Sequence, residues 1–168
     1  KLDNEFDLLR RHQLNPERYP HLLESVLHGT PQSRYDILFA FPGETISADD
    51  QAFLPQLDKV WQEQRLNIEQ SELPFVGGWF VYLGYELANE IEPILKLPAS
   101  NSPLPTAFAS RIPAAVIRDH QNACCYLVCE PGAVTLLSQI NQDITILSAV
   151  SESVASPQVM SIIEDQSD

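Results

Sequence analysis

Leu73-Pro74-Phe75-Val76-Gly77-Gly78-Trp79-Phe80-Val81-Tyr82-Leu83-Gly84-Tyr85-Glu86-Leu87 holds an arrival, a strand and a departure in one short run. Pro74 fixes its own φ and keeps Leu73 extended, and the Gly77-Gly78 pair lets backbone pass where a Cβ would clash. Trp79 to Leu83 is an aromatic and apolar strand. Gly84 then releases the chain into Tyr85 to Glu92, where apolar residues 87, 88 and 91 suit one face of a short helix. These glycines are not a phosphate cradle. Neither GxGxxG nor GxxxxGK[ST] can be written over Gly77, Gly78 and Gly84, and no Lys follows to reach a phosphate.

Outward from this run, Asn4 is placed to cap a helix through about His12, with Phe6, Leu8 and Leu9 as its apolar stripe and Asn15-Pro16 as its stop. His21 to Val26 reads as a strand, and His28 to Pro31 as a turn. A second strand covers Ser33 to Phe41, almost continuously apolar after Asp36 and so expected to be covered on both faces. Asp49 or Asp50 is the expected cap of an amphipathic helix whose Phe53, Leu54, Leu57, Val60 and Trp61 recur near a 3.6 period. Pro93 to Pro105 holds four of the chain's 13 prolines and reads as a surface connection. Ala107 to Arg118 and Ala123 to Cys129 form a hairpin around Asp119-His120-Gln121-Asn122. Pro131 opens a helix through about Ile140, and Ile144 to Leu147 reads as a short strand. From Ser151 the chain turns Ser-rich and acidic. Strands interleaved with helices and joined by hairpins predict an α+β fold with antiparallel sheet and outer helices.

The chain has 168 residues, 44% of them hydrophobic and 20% charged, which suits one soluble domain with a core of its own. Its 23 acidic and 10 basic residues give a net charge of −13. Nucleic acid and anionic membranes are poor partners for that field, because both are gripped by clustered Lys and Arg. Cys124, Cys125 and Cys129 form no CxxC pair and read as reduced core thiols. His12, His21, His28 and His120 lie far apart without ligand spacing, so no metal site is expected. No apolar run nears the roughly 20 residues that cross a bilayer, and no signal-peptide pattern opens the chain, so the expectation is cytoplasmic. Glu86 and Glu90 share a helix face but have no cationic companion, and read as surface or packing residues. There is no GxSxG and no cysteine with a positioned histidine.

The string LPFVGGWFVYLGYELANEIE resembles the LPFxGGxxGYxGYE/D segment of the chorismate-using enzymes anthranilate synthase component I and aminodeoxychorismate synthase component I. Val81 stands where the family commonly carries a third glycine, so that strand is expected to pack less closely. Leu22-Leu23-Glu24-Ser25, followed by Arg34-Tyr35, resembles the LLES and RY elements of the same N-terminal region. Leu104-Pro105 and Ile117-Arg118-Asp119-His120 resemble its LP and its VxDH hairpin. Ser33-Arg34-Tyr35-Asp36-Ile37 is closer to the SRFDI of aminodeoxychorismate synthases than to the GRYSF of anthranilate synthases.

The resemblance implies sheets packed orthogonally with helices outside, as a partial chorismate-using-enzyme fold. It implies an N-terminal domain over residues 1–150 and a tail or linker over 151–168 leading to a C-terminal chorismate-binding domain. In the parent enzyme that domain would hold Mg²⁺ and aminate chorismate to 4-amino-4-deoxychorismate for p-aminobenzoate and folate, with ammonia from a glutamine amidotransferase subunit. It also implies a pocket for a tryptophan-like amino acid at Leu23, Glu24, Ser25, Tyr35 and Asp36. Read without the family, Glu24 and Ser25 sit on a strand edge with Leu22 and Leu23 in the core. None of the catalytic motifs lies in these residues, so this chain alone is expected to be inactive, with no cofactor of its own. The alternatives are the corresponding regulatory region of anthranilate synthase component I, where tryptophan would inhibit, and a free-standing ligand-binding or interaction module.

Overall fold

The computed structural model describes residues 7–25, 33–48, 52–65, 71–95, 97–98 and 103–153. Two antiparallel sheets form the centre. The first has the order β1 (His21–Leu23), β2 (Tyr35–Ala40), β6 (Ala114–Asp119), β7 (Cys124–Cys129), and the second has β3 (Thr45–Ser47), β5 (Ala107–Ile112), β4 (Gly78–Leu83). The helices are α1 (Leu8–Leu14), α2 (Phe53–Glu63), α3 (Ala88–Ile91) and α4 (Val134–Ser153). The fold is the α+β arrangement that the sequence predicts, with antiparallel strands throughout.

Period-2 alternation divides the first sheet into two faces. Leu38, Ala40, Ala114, Val116 and Cys125 pack with Leu8 of α1 and Ile140 of α4, while Ala115, Ile117 and Val128 pack with Leu73 and Phe75. β2 is therefore covered on both sides, as its apolar run requires. Aromatic rings join the two sheets: Phe39 meets Phe75 and Phe80 edge-on at 5.1 and 5.2 Å, and His21 stacks on Phe80 at 4.0 Å. Burial there, and then the neighbouring His12, pull the His21 imidazole below its usual value. On the far side of the second sheet, Phe53, Leu54, Leu57 and Val60 of α2 pack with Ile46, Ala107, Ala109 and Trp79.

The apolar run 107–118 is two strands in different sheets, not the single hairpin arm expected from its β-prone composition. Pro113 lies between them, and a residue without an N–H cannot donate to a ladder. Its carbonyl accepts the Glu130 N–H at 2.9 Å, and the Glu130 carboxylate pairs with Arg111. Gly77 has φ +126°, and a Cβ there would collide with the Glu130 side chain. At Gly84 space is the constraint, since a Cβ would lie 2.7 Å from the Thr106 carbonyl oxygen.

Other expectations are corrected. The segment 144–147 is helical, because α4 runs on past Ile140 and places Leu136, Ile140 and Ile144 on one face against the first sheet. The helix expected over 85–92 is a 3-10 turn followed by the one-turn α3; Leu87 is buried but Ile91 is exposed. β3 was not anticipated. α1 begins at Leu8, with the Asp7 side chain accepting the Arg10 N–H at 2.9 Å. Asn4, Phe6, Val26, Asp49 and Asp50 lie outside the described residues, as does all but the first turn of the expected tail. Cys124, Cys125 and Cys129 are unpaired; the first two are buried, and burial pushes the Cys125 thiol up.

Candidate functional site

The implied pocket residues gather where β1 ends beside the start of β2. Asp36 is 3% exposed and fully engaged: one oxygen accepts the Ser25 N–H at 3.1 Å, and the other lies 2.8 Å from His120 Nε2 and 3.6 Å from Arg118 Nη1. Register explains the cluster. Asp36 pairs with Arg118 across β2 and β6, which puts both side chains on one face. His120 follows directly after β6.

Tyr35 and Asp36 are successive strand residues and so project to opposite faces. Tyr35 packs on the side of Ile37, Ala115 and Ile117, with the Arg34 guanidinium 4.7 Å from its ring centroid. Leu23 is paired with Ile37 and shares the Tyr35 face. It is half-exposed, and Glu24 is exposed; of the two leucines, only Leu22 packs against the core. The structure thus joins Ser25 to Asp36 and sets Leu23 on the same face as Tyr35, as two groups on either side of the sheet.

Two participants were missed as partners of Asp36: His120 and Arg118. Both stand in the hairpin motif quoted from the sequence, but only strand register brings them to the carboxylate. A second fork braces the same end. Arg34 donates from Nε and Nη2 to the two Asp119 oxygens at 3.1 and 2.7 Å, and the N–H groups of Gln121 and Asn122 and the Asn122 amide also donate to Asp119. Arg34, supported by Asn122, holds the Asp119 carboxyl down at about 2.

Leu23 and Tyr35 present an apolar face on one side of the sheet, Glu24 is a solvated carboxylate just after β1, and the Ser25 backbone is braced by Asp36. Among the described residues no group of three or more His, Cys, Asp or Glu side chains is placed to hold a metal ion. No helix among them is long and apolar enough to cross a membrane.

The chain matches no family model. Over 87 residues, 52% of its length, it is 38% identical to an anthranilate synthase component I-like protein from Synechocystis sp., of which it covers 17%. Its fold superposes on anthranilate synthase component I from Streptococcus pneumoniae with a TM-score of 0.53 and 19% identity, over 80% of this chain and 32% of that one. The chain therefore spans less than a fifth of the curated relative it matches, and it shares its fold with about a third of a solved anthranilate synthase component I.

Proposed function

We propose that these residues form the supporting part of a chorismate-using enzyme of the component I type, on the aminodeoxychorismate branch. In this reading the parent protein aminates chorismate to 4-amino-4-deoxychorismate, with Mg²⁺ and the reacting groups on a chorismate-binding domain beyond these residues and ammonia from a glutamine amidotransferase subunit. The observation that carries it is the agreement of the ordered motifs with a fold match over 80% of the chain. Asp36, where anthranilate synthases read Ser, favours the folate branch; its buried links to Ser25, Arg118 and His120 give that residue a structural reason to be there.

Beside the catalytic domain, Leu23 and Tyr35 would face the ring of a tryptophan-like ligand and Glu24 would take its ammonium. Asp36 holds Ser25 in position and does not itself reach the ligand. L-Tryptophan added to the 168-residue chain in a calorimeter is expected to bind weakly or not at all, because the pocket would take further walls from the catalytic domain. Tight binding would show that these walls suffice.

A second reading has its own support: the Synechocystis relative is named anthranilate synthase component I-like, and the Streptococcus pneumoniae structure is anthranilate synthase component I. Product analysis decides between them. The protein encoded by the full reading frame, given chorismate and ammonia, is expected to release 4-amino-4-deoxychorismate; anthranilate would establish the other branch. A stop codon directly after Asp168, with no chorismate-binding domain, would leave a free-standing binding module.

A further inference from the structure

The chain's two tryptophans line one groove, on the second sheet and not on the first sheet that carries the pocket residues. It lies between α2 and the outer face of β4, holds about 300 Å³, and is walled by Leu54, Leu57, Asp58, Trp61, Trp79 and Val81. That volume is at the lower end for small-molecule sites. Trp61 is 48% exposed and Val81 40% exposed, so the apolar floor is open to solvent. Val81 is tolerated at a position of expected glycine because it faces this groove, with the small Ala109 beside it on β5.

Among the described residues, Asp58 is the one titratable group in the lining. Its carboxylate is held by the Gln62 amide at 2.8 Å and remains solvated, so one oxygen is oriented and the charge is available. Both indoles already lie beside guanidinium groups, as electron-rich ring faces favour, with Arg65 5.1 Å from the Trp61 ring and Arg111 5.9 Å from the Trp79 ring. The Arg111 charge is balanced by Glu130 and its donors are taken by Gln64 and the Gly78 carbonyl, so it adds little repulsion. Two π faces, an apolar floor, one carboxylate and a net charge of −13 complement a single kind of occupant.

We propose that this groove binds a small organic cation, a primary ammonium on an aromatic or branched apolar body, with the ammonium on Asp58 and the body between Trp61 and Trp79. This does not depend on the enzymatic reading above.

The emission of the two tryptophans reads occupancy directly. The 168-residue chain is titrated with 2-phenylethylamine, its neutral analogue 2-phenylethanol and the anion 3-phenylpropionate. Saturable change with the amine is expected, with the alcohol about tenfold weaker and the acid weaker still, a spacing typical of one charge-assisted contact. Asp58→Asn should bring the amine to the level of the alcohol and leave the alcohol unchanged, while circular dichroism confirms the fold. Val81→Phe, on an exposed strand position, should abolish all binding by filling the groove. Equal binding of amine and alcohol, no saturable response to any probe, or an unaltered amine affinity in Asp58→Asn would overturn the proposal. So would a concentration-dependent dimer, seen by sedimentation and dissolved by Val81→Phe, which would make the groove a contact between copies.

Discussion

Glu90 accepts the Phe53 N–H at 2.9 Å with one carboxylate oxygen, while its other oxygen takes the Leu54 N–H at 2.8 Å. A side chain from α3, 37 residues away in sequence, thus caps α2, whose own N-cap position is Ala52 and supplies no side-chain bond. The carboxylate also places negative charge at the positive end of the helix dipole.

Glu90→Ala is expected to destabilise the protein by about 1–2 kcal/mol, the usual worth of a lost cap plus its charge. Glu90→Gln should recover part of that, since one oxygen can still accept. Urea unfolding followed by circular dichroism measures both. An unchanged midpoint for Glu90→Ala would mean the cap contributes nothing.

Gly77→Ala is expected to cost about 3 kcal/mol or more, combining a left-handed backbone with overpacking. The new Cβ would meet the Glu130 side chain and push it from Arg111. Gly132→Ala is the control: φ is +87° there but nothing lies within 4 Å of the added Cβ, so only the backbone penalty should appear. Comparing the two unfolding midpoints separates strain from collision.

Asp119 supplies a pH dependence of defined sign. Its carboxyl titrates near 3.8 in the unfolded chain and at about 2 when folded, held down first by Arg34. The stability it contributes is complete above 3.8 and is lost as pH falls towards 2. Asp119→Asn should be less stable at neutral pH and should show a shallower loss over that window. Parallel curves for the two proteins would remove Asp119 as the source.

Ala123→Gly is expected to stabilise the β6–β7 hairpin by about 0.5 kcal/mol. Ala123 has φ +46°, a conformation that costs an L-residue more than it costs glycine, and the gain is partly offset by the greater freedom of glycine in the unfolded chain. Thermal unfolding of the variant should show a slightly higher midpoint.

Local pattern reached those elements whose surroundings are written in their own residues. The apolar run of β2, the glycine-flanked β4, the turn at Asp119 to Asn122 and the stripe of α2 all stand where period and turn chemistry place them. β3 is three residues long, too short for alternation to register. Ile144 to Leu147 carries β-branched residues, yet belongs to α4 because Ile144 continues the face of Leu136 and Ile140. Glu90 reads from sequence as a surface or packing residue, and its capping role is hidden there because its partners are backbone groups far away in sequence. At the site, the family motifs single out Ser25 and Asp36 but not the bond from the Ser25 N–H to the Asp36 carboxylate, which joins residues 11 apart. The split of Tyr35 from Asp36 follows from strand alternation alone; the arrival of His120 and Arg118 depends on pairing between β2 and β6, which composition does not encode.

The bend at Pro113 makes one stretch of backbone the middle strand of the second sheet and an inner strand of the first. Neither layer can then be assembled, exchanged or shed as a separate module, because each borrows its centre from a segment the other also needs. Cutting the chain in the 93–105 connection would part both layers from their inner strands at once, leaving β1 to β4 on one piece and β5 to β7 on the other, whereas a nick between Ile112 and Ala114 would keep the second layer whole and divide the first alone.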